Sequence, residues 1–125
     1  MRALFLAAAI PQFFGVIGHS TLGEREIFPK LFKGKTGLDG PALRILRATW
    51  HVASLSFALQ GIILMALAFK SGLLTREERI AVHAISGWNL GTGILCVGYW
   101  GRDKPQGWLF IGITTLLQIG LLLKP

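Results

Sequence analysis

The charge in this 125-residue chain is confined to short stretches that separate four long apolar runs. A water-soluble fold needs charge spread along its length to clothe its surface, so this segregation sets the fold class before any motif is considered. The runs extend from Ala3 to about Gly18, from about Ile45 to Phe69, from Ile80 to Trp100 and from Gly107 to Leu123. A helix crosses a hydrocarbon core of about 30 Å with about 20 residues, within a range of roughly 17 to 25. The second and third runs meet that length comfortably, and the outer two sit at its short end. Composition agrees, with 52% apolar and only 15% charged residues, where soluble domains carry about 25% charge. The expectation is an all-α integral membrane four-helix bundle, one domain over residues 1–125, with neighbouring spans antiparallel because the links are short.

The first run also fits a secretory signal, with Arg2 ahead of an apolar core from Ala3 to Ile10. We read it as a true span kinked at Pro11, which a bundle tolerates when neighbours satisfy the freed carbonyl. The link from Ser20 to Gly40 holds Ile27, Phe28, Leu31 and Phe32 at helical spacing beside Lys30 and Lys33. That pattern predicts a short segment lying in the interface with its basic residues toward head groups, and Pro29 fits only near its first turn. Asp39-Gly40-Pro41 supplies a turn, with Pro41 suited to the first position of the second helix. Thr75-Arg76-Glu77-Glu78 is a capping box that predicts a helix start near Arg76.

With four crossings both termini share a side. That side carries Arg2, Lys70, Arg76, Arg79 and Lys124, and the other carries Arg25, Lys30, Lys33, Lys35, Arg44, Arg47, Arg102 and Lys104. The positive-inside rule puts the second set in the cytoplasm and both termini outside, in a cell inner (plasma) membrane. A net charge of +7 invites a nucleic-acid reading, but Lys and Arg beside spans meet anionic lipid, and no basic motif interleaved with aromatics is present. Membrane lipid is the expected partner and nucleic acid is not.

Lipid gives no hydrophobic drive between helices, so close packing rests on small residues and buried polar pairs. Gly87 and Gly91 have the spacing of a tight crossing and are expected at a helix contact. Gln12, Gln60, Asn89 and Gln118 are amides expected in the middle of the bilayer, as hydrogen-bonded ties between helices or as the lining of a polar pocket.

The histidines suggest a second polar layer. His19 ends the first span and His51 lies about two turns into the second, so both belong near the same boundary as Glu24 and Arg47. Arg47, His51, Ser54 and Gly61 share one helical face, with Trp50 beside them. Three roles stay open: a metal site from His19, His51 and Glu24; a site for a lipid head group or other anion from Arg47, His51 and Trp50; or a hydrogen-bond network fastening the long link to the bundle. For haem, His51 and His83 enter from opposite sides, about 15 Å apart in depth, which leaves His19 with His51 as the possible axial pair.

Cys96 is single, so no disulfide or Cys-x-x-Cys pair exists. No Asp or Glu lies within a run, which separates the chain from the small multidrug exporters it resembles in hydropathy. The stretches His19-Ser20-Thr21-Leu22-Gly23-Glu24-Arg25 and Arg47-Ala48-Thr49-Trp50-His51 resemble a pattern in small uncharacterised four-span bacterial membrane proteins. That resemblance covers most of the chain and implies a bacterial inner membrane, with no particular activity. The leading expectation is a non-catalytic protein acting by contact, as an accessory subunit or as a binder of lipid or a small apolar ligand. The competing classes are a small membrane enzyme or redox subunit using the histidine layer with a metal or haem, and a homo-oligomeric channel or transporter. Four spans make a small bundle, so self-association or a partner membrane subunit is expected.

Overall fold

The computed structural model describes residues 1–34, 37, 39–103 and 105–123, the side chain of Trp100 excepted. Lys35, Lys104 and Lys124, which enter the charge comparison above, lie outside the described residues. The described chain is all-helical. Helix α1 spans Arg2–Leu22 and passes through a π-helical turn, Gly23–Ile27, into α2, Phe28–Lys33. Helices α3 (Gly40–Phe69), α4 (Arg76–Trp100) and α5 (Pro105–Leu122) follow. Four helical stretches, from Arg2, Gly40, Arg76 and Pro105, are long and apolar enough to cross a membrane.

Local chemistry sets the boundaries. The Asp39 carboxylate accepts the Ala42 N–H at 2.8 Å and Pro41 fills the first turn, so α3 begins five residues before the apolar run that marks its span. The capping box at α4 is complete: Glu78 N–H reaches Thr75 Oγ1 at 3.3 Å, and the Glu78 carboxylate takes the Thr75 N–H at 2.7 Å. Lys70, at the end of α3, donates to the same carboxylate at 2.6 and 2.7 Å. One glutamate therefore ties the end of one span to the start of the next.

The helices pair two and two. Helix α1 packs along α3, and α4 along α5; α1 against α5 joins the pairs, while α3 and α4 meet lightly. The apolar core fills the half of the bundle nearer the termini. It contains Phe5, Ala8 and Ala9 of α1, Leu64, Leu67 and Ala68 of α3, Val82 and Ile85 of α4, and Ile113, Leu117 and Leu121 of α5. Next along the axis come Gln12, Gln60 and Asn89, then aromatic rings, then a charged cluster at the α2 end.

The close helix crossing differs from the one the glycine spacing suggests. Gly87 and Gly91 are exposed, and a Cβ on either meets nothing within 4 Å. The tight approach is between α4 and α5, where a Cβ on Gly93 would stand 2.9 Å from the Gly107 carbonyl oxygen and one on Gly107 would stand 2.5 Å from Val97 Cγ2. A spacing of four identifies a flat helix face but not which neighbour uses it. Thr114 Oγ1 strengthens the same pair by donating to the Ser86 carbonyl at 3.1 Å.

Gly93→Ala is expected to destabilise the folded protein in detergent by about 1–3 kcal/mol through overpacking against backbone, and Gly87→Ala to leave it unchanged. Reversible unfolding followed by circular dichroism checks both, and an equal response at the two sites would place the crossing elsewhere.

Candidate functional site

At the α2 end, Pro29 shapes the site. It has no N–H to continue the ladder of α1, and the chain widens just before it into a π turn in which Phe28 N–H bonds the Gly23 carbonyl. This turn carries Glu24 to the face of α3 that bears Arg47 and His51, one helical turn apart. Arg47 binds the Glu24 carboxylate with two hydrogen bonds, Nε to Oε1 at 2.8 Å and Nη2 to Oε2. His51 Nε2 lies 2.7 Å from Glu24 Oε1. The fork geometry lets one carboxylate hold a guanidinium and an imidazole together. Phe28 is buried beneath, with the Arg47 guanidinium 5.9 Å above its ring centre and the His51 ring 6.4 Å away.

One layer deeper, His19 stacks on Trp50 with ring centres 3.9 Å apart and planes within 10°. Trp50 Nε1 donates to the His19 carbonyl at 2.7 Å, and the N–H of Gly23 also bonds to that carbonyl. His19 Nδ1 stands 3.0 Å from Ser54 Oγ, to which Ser20 Oγ donates at 2.9 Å. Gly23 is required here, since a Cβ on it would fall 2.4 Å from Trp50 Nε1 and 2.9 Å from the Phe28 ring. Phe57 closes the layer edge-on to His19 and stacks on Phe110 of α5.

The structure thus brings Glu24, Arg47 and His51 into direct contact and sets His19 and Trp50 beside them in a separate network. Both Glu24 oxygens are engaged by Arg47 and His51, and His19 turns Nδ1 to Ser54. Among the described residues no group of three or more His, Cys, Asp and Glu side chains is placed to hold a metal ion. The parts that residue spacing does not reveal are Ser20, Phe28 and the π turn. The available signal is Pro29, which interrupts helical bonding in a segment whose apolar pattern continues.

The amides divide in the same way. Gln12 Nε2 donates to Asn89 Oδ1 at 3.0 Å and to Gln60 Oε1 at 3.3 Å, while Asn89 Nδ2 donates to Gln60 Oε1 at 2.7 Å and to the Ile85 carbonyl at 2.8 Å. These three form a buried ring joining α1, α3 and α4. Gln118 is placed apart from it, 3.4 Å from His83 Nδ1 at an exposed position nearer the termini.

Glu24→Ala removes the acceptor that two α3 side chains share and is expected to raise amide hydrogen exchange across residues 23–33, with α4 and α5 unaffected. Unchanged exchange in that segment would mean the cluster does not fasten it. Asn89→Leu is expected to cost about 1–2 kcal/mol in detergent unfolding, the usual range for interhelical polar ties.

No protein-family model, curated protein or solved structure matches this chain, so its function is read from the geometry of these two polar layers.

Proposed function

We propose that the chain is a non-catalytic multi-pass protein of a bacterial inner membrane that works by contact, its α2 end facing the cytoplasm and binding head groups of anionic lipid as an accessory element of a membrane assembly. The observation that carries this reading is the Glu24–Arg47–His51 clamp over Phe28. It spends its own charges internally while holding α2 against the bundle, so that the remaining basic residues of this end form an outward rim. Arg25, Lys33 and Arg44 are exposed and have no ion-pair partner among the described residues, while Lys30 pairs with Glu26 at 3.1 Å. Phe32 and Leu22 are exposed alongside them, 44% and 49%, which suits a surface that dips into lipid below its charges. Among the described residues, this end carries six basic against four acidic residues.

Each basic residue near an anionic surface adds roughly 1 kcal/mol. Protein purified in mild detergent with equimolar phosphatidylglycerol and phosphatidylcholine is therefore expected to retain phosphatidylglycerol preferentially by native mass spectrometry. The combined variant Arg25→Gln, Lys33→Gln, Arg44→Gln is expected to lose that preference about tenfold or more, with its helical content unchanged. Equal retention of the two lipids by the unmodified chain would sink the reading.

A further inference from the structure

The polarity of the buried amide ring is fixed from outside it. Asn89 Nδ2 donates to the Ile85 carbonyl, an oxygen that cannot change places with a donor, so Asn89 must turn Oδ1 toward Gln12 and Nδ2 toward Gln60. Gln12 then presents Nε2 to the ring, and Gln60 presents Oε1, which accepts from both neighbours. The Gln60 amide nitrogen is thereby directed away from the ring. Its two N–H donors have no partner among the described residues, although Gln60 is only 8% exposed. An amide N–H that opens only onto apolar surface and hydrocarbon, with no acceptor, is costly, which points to an acceptor brought from elsewhere.

Gln60 lines a groove of about 270 Å³ between α3 and α4, together with Ser56, Leu59, Ala84, Ile85 and Trp88. It opens sideways between two helices that meet only lightly. Ser56 already donates to the Val52 carbonyl at 3.1 Å, so its hydroxyl adds no free donor. Trp88, 56% exposed, supplies an aromatic wall. Gln60 is nine residues from the end of α3, about 14 Å at 1.5 Å per residue, close to the middle of a core about 30 Å thick. The ester carbonyls and head groups of phospholipids lie at the edges of that core and do not reach this depth.

We propose that this groove binds a lipophilic planar carbonyl compound of the quinone class, with Gln60 Nε2 donating to one carbonyl oxygen and Trp88 against the ring. The volume is below that of most ligand sites and is open on one side, so it takes one substituted ring and any isoprenoid tail leaves through the open side into lipid. The proposal is independent of the head-group site, which lies at another depth and uses other residues.

The test uses the full chain in phosphatidylcholine nanodiscs, with duroquinone carrying ¹³C-labelled carbonyls as the probe and durene, the same ring without carbonyls, as competitor. Expected are saturable quenching of tryptophan fluorescence, a carbonyl stretch moved to lower frequency, and no displacement by durene. Ala84→Leu, which fills the groove without touching the amide ring, is expected to weaken binding about tenfold or more. Gln60→Leu is expected to abolish the frequency shift, and loss of one neutral hydrogen bond corresponds to about a tenfold drop in affinity. Gln60→Glu, neutral at this depth and still able to accept and donate, is expected to restore both. Quenching that rises without saturation and equally in Ala84→Leu would overturn the proposal, as would an unshifted carbonyl band or equal competition by durene. Spontaneous disulfide cross-linking of Ala84→Cys between copies, with exclusion of duroquinone, would assign the groove to a second copy of the chain instead.

Discussion

Three amides in the middle of the bundle hold its two helix pairs in register. Elsewhere α3 and α4 barely meet, so without the bonds from Asn89 to Gln60 and Gln12 the pairs would be joined mainly along α1 and α5, with the Lys70–Glu78 tie at one end and the Phe57–Phe110 stack toward the other. In water such amides would trade partners with solvent at little net gain. In hydrocarbon they have no such alternative, and a slide of either pair by even one residue along the axis separates donors from acceptors. The ring therefore specifies axial alignment in a packing made otherwise of interchangeable Leu, Ile, Ala and Gly contacts. Its orientation traces back to a single backbone carbonyl, that of Ile85.

Above and below this ring the bundle is built differently. The terminal half is dry and apolar, and the small side chains of Ala8 and Ala9 let α1 lie close to its neighbours. The α2 half is aromatic and polar, with His19, Trp50, Phe57 and Phe28 stacked between the helices and Glu24 drawing Arg47 and His51 together at the surface. Amphipathic rings suit this level, where one edge meets apolar surface and the other meets polar groups. The asymmetry explains how a chain with so little charge concentrates its polar side chains at one end.

Much of the architecture is legible in the sequence because the membrane imposes it: length and hydropathy locate the helices, Thr75 and Glu78 announce the start of α4, and Asp39 with Pro41 announce that of α3. The common layer of Glu24, Arg47 and His51 is also readable, from helical spacing and from the side on which each span enters. What is not readable depends on which faces meet. Gly87 and Gly91 carry the spacing of a close crossing, yet α5 packs on the face bearing Gly93, since rotation about the helix axis is set by Thr114, Val97 and Ile111 rather than by glycine spacing. Likewise Gln118 looks no different in sequence from Gln60, but it lies four residues from the end of α5, and only position along the folded bundle distinguishes them.

The π turn has a consequence for how this chain tolerates change in length. An α-helix advances each residue by about 100° around its axis, and a π turn absorbs one additional residue without breaking the rod, so α2 is out of phase with α1 by that increment. The shift lets Phe28 face inward beneath Arg47 while Lys33 faces out, although one unbroken helical path joins them. Removing a single residue between Gly23 and Ile27 would return the rod to uniform phase and turn α2 by about 100° about its axis, carrying Phe28 and Lys33 away from the positions they hold here. In this segment, then, the number of residues matters as much as their identity.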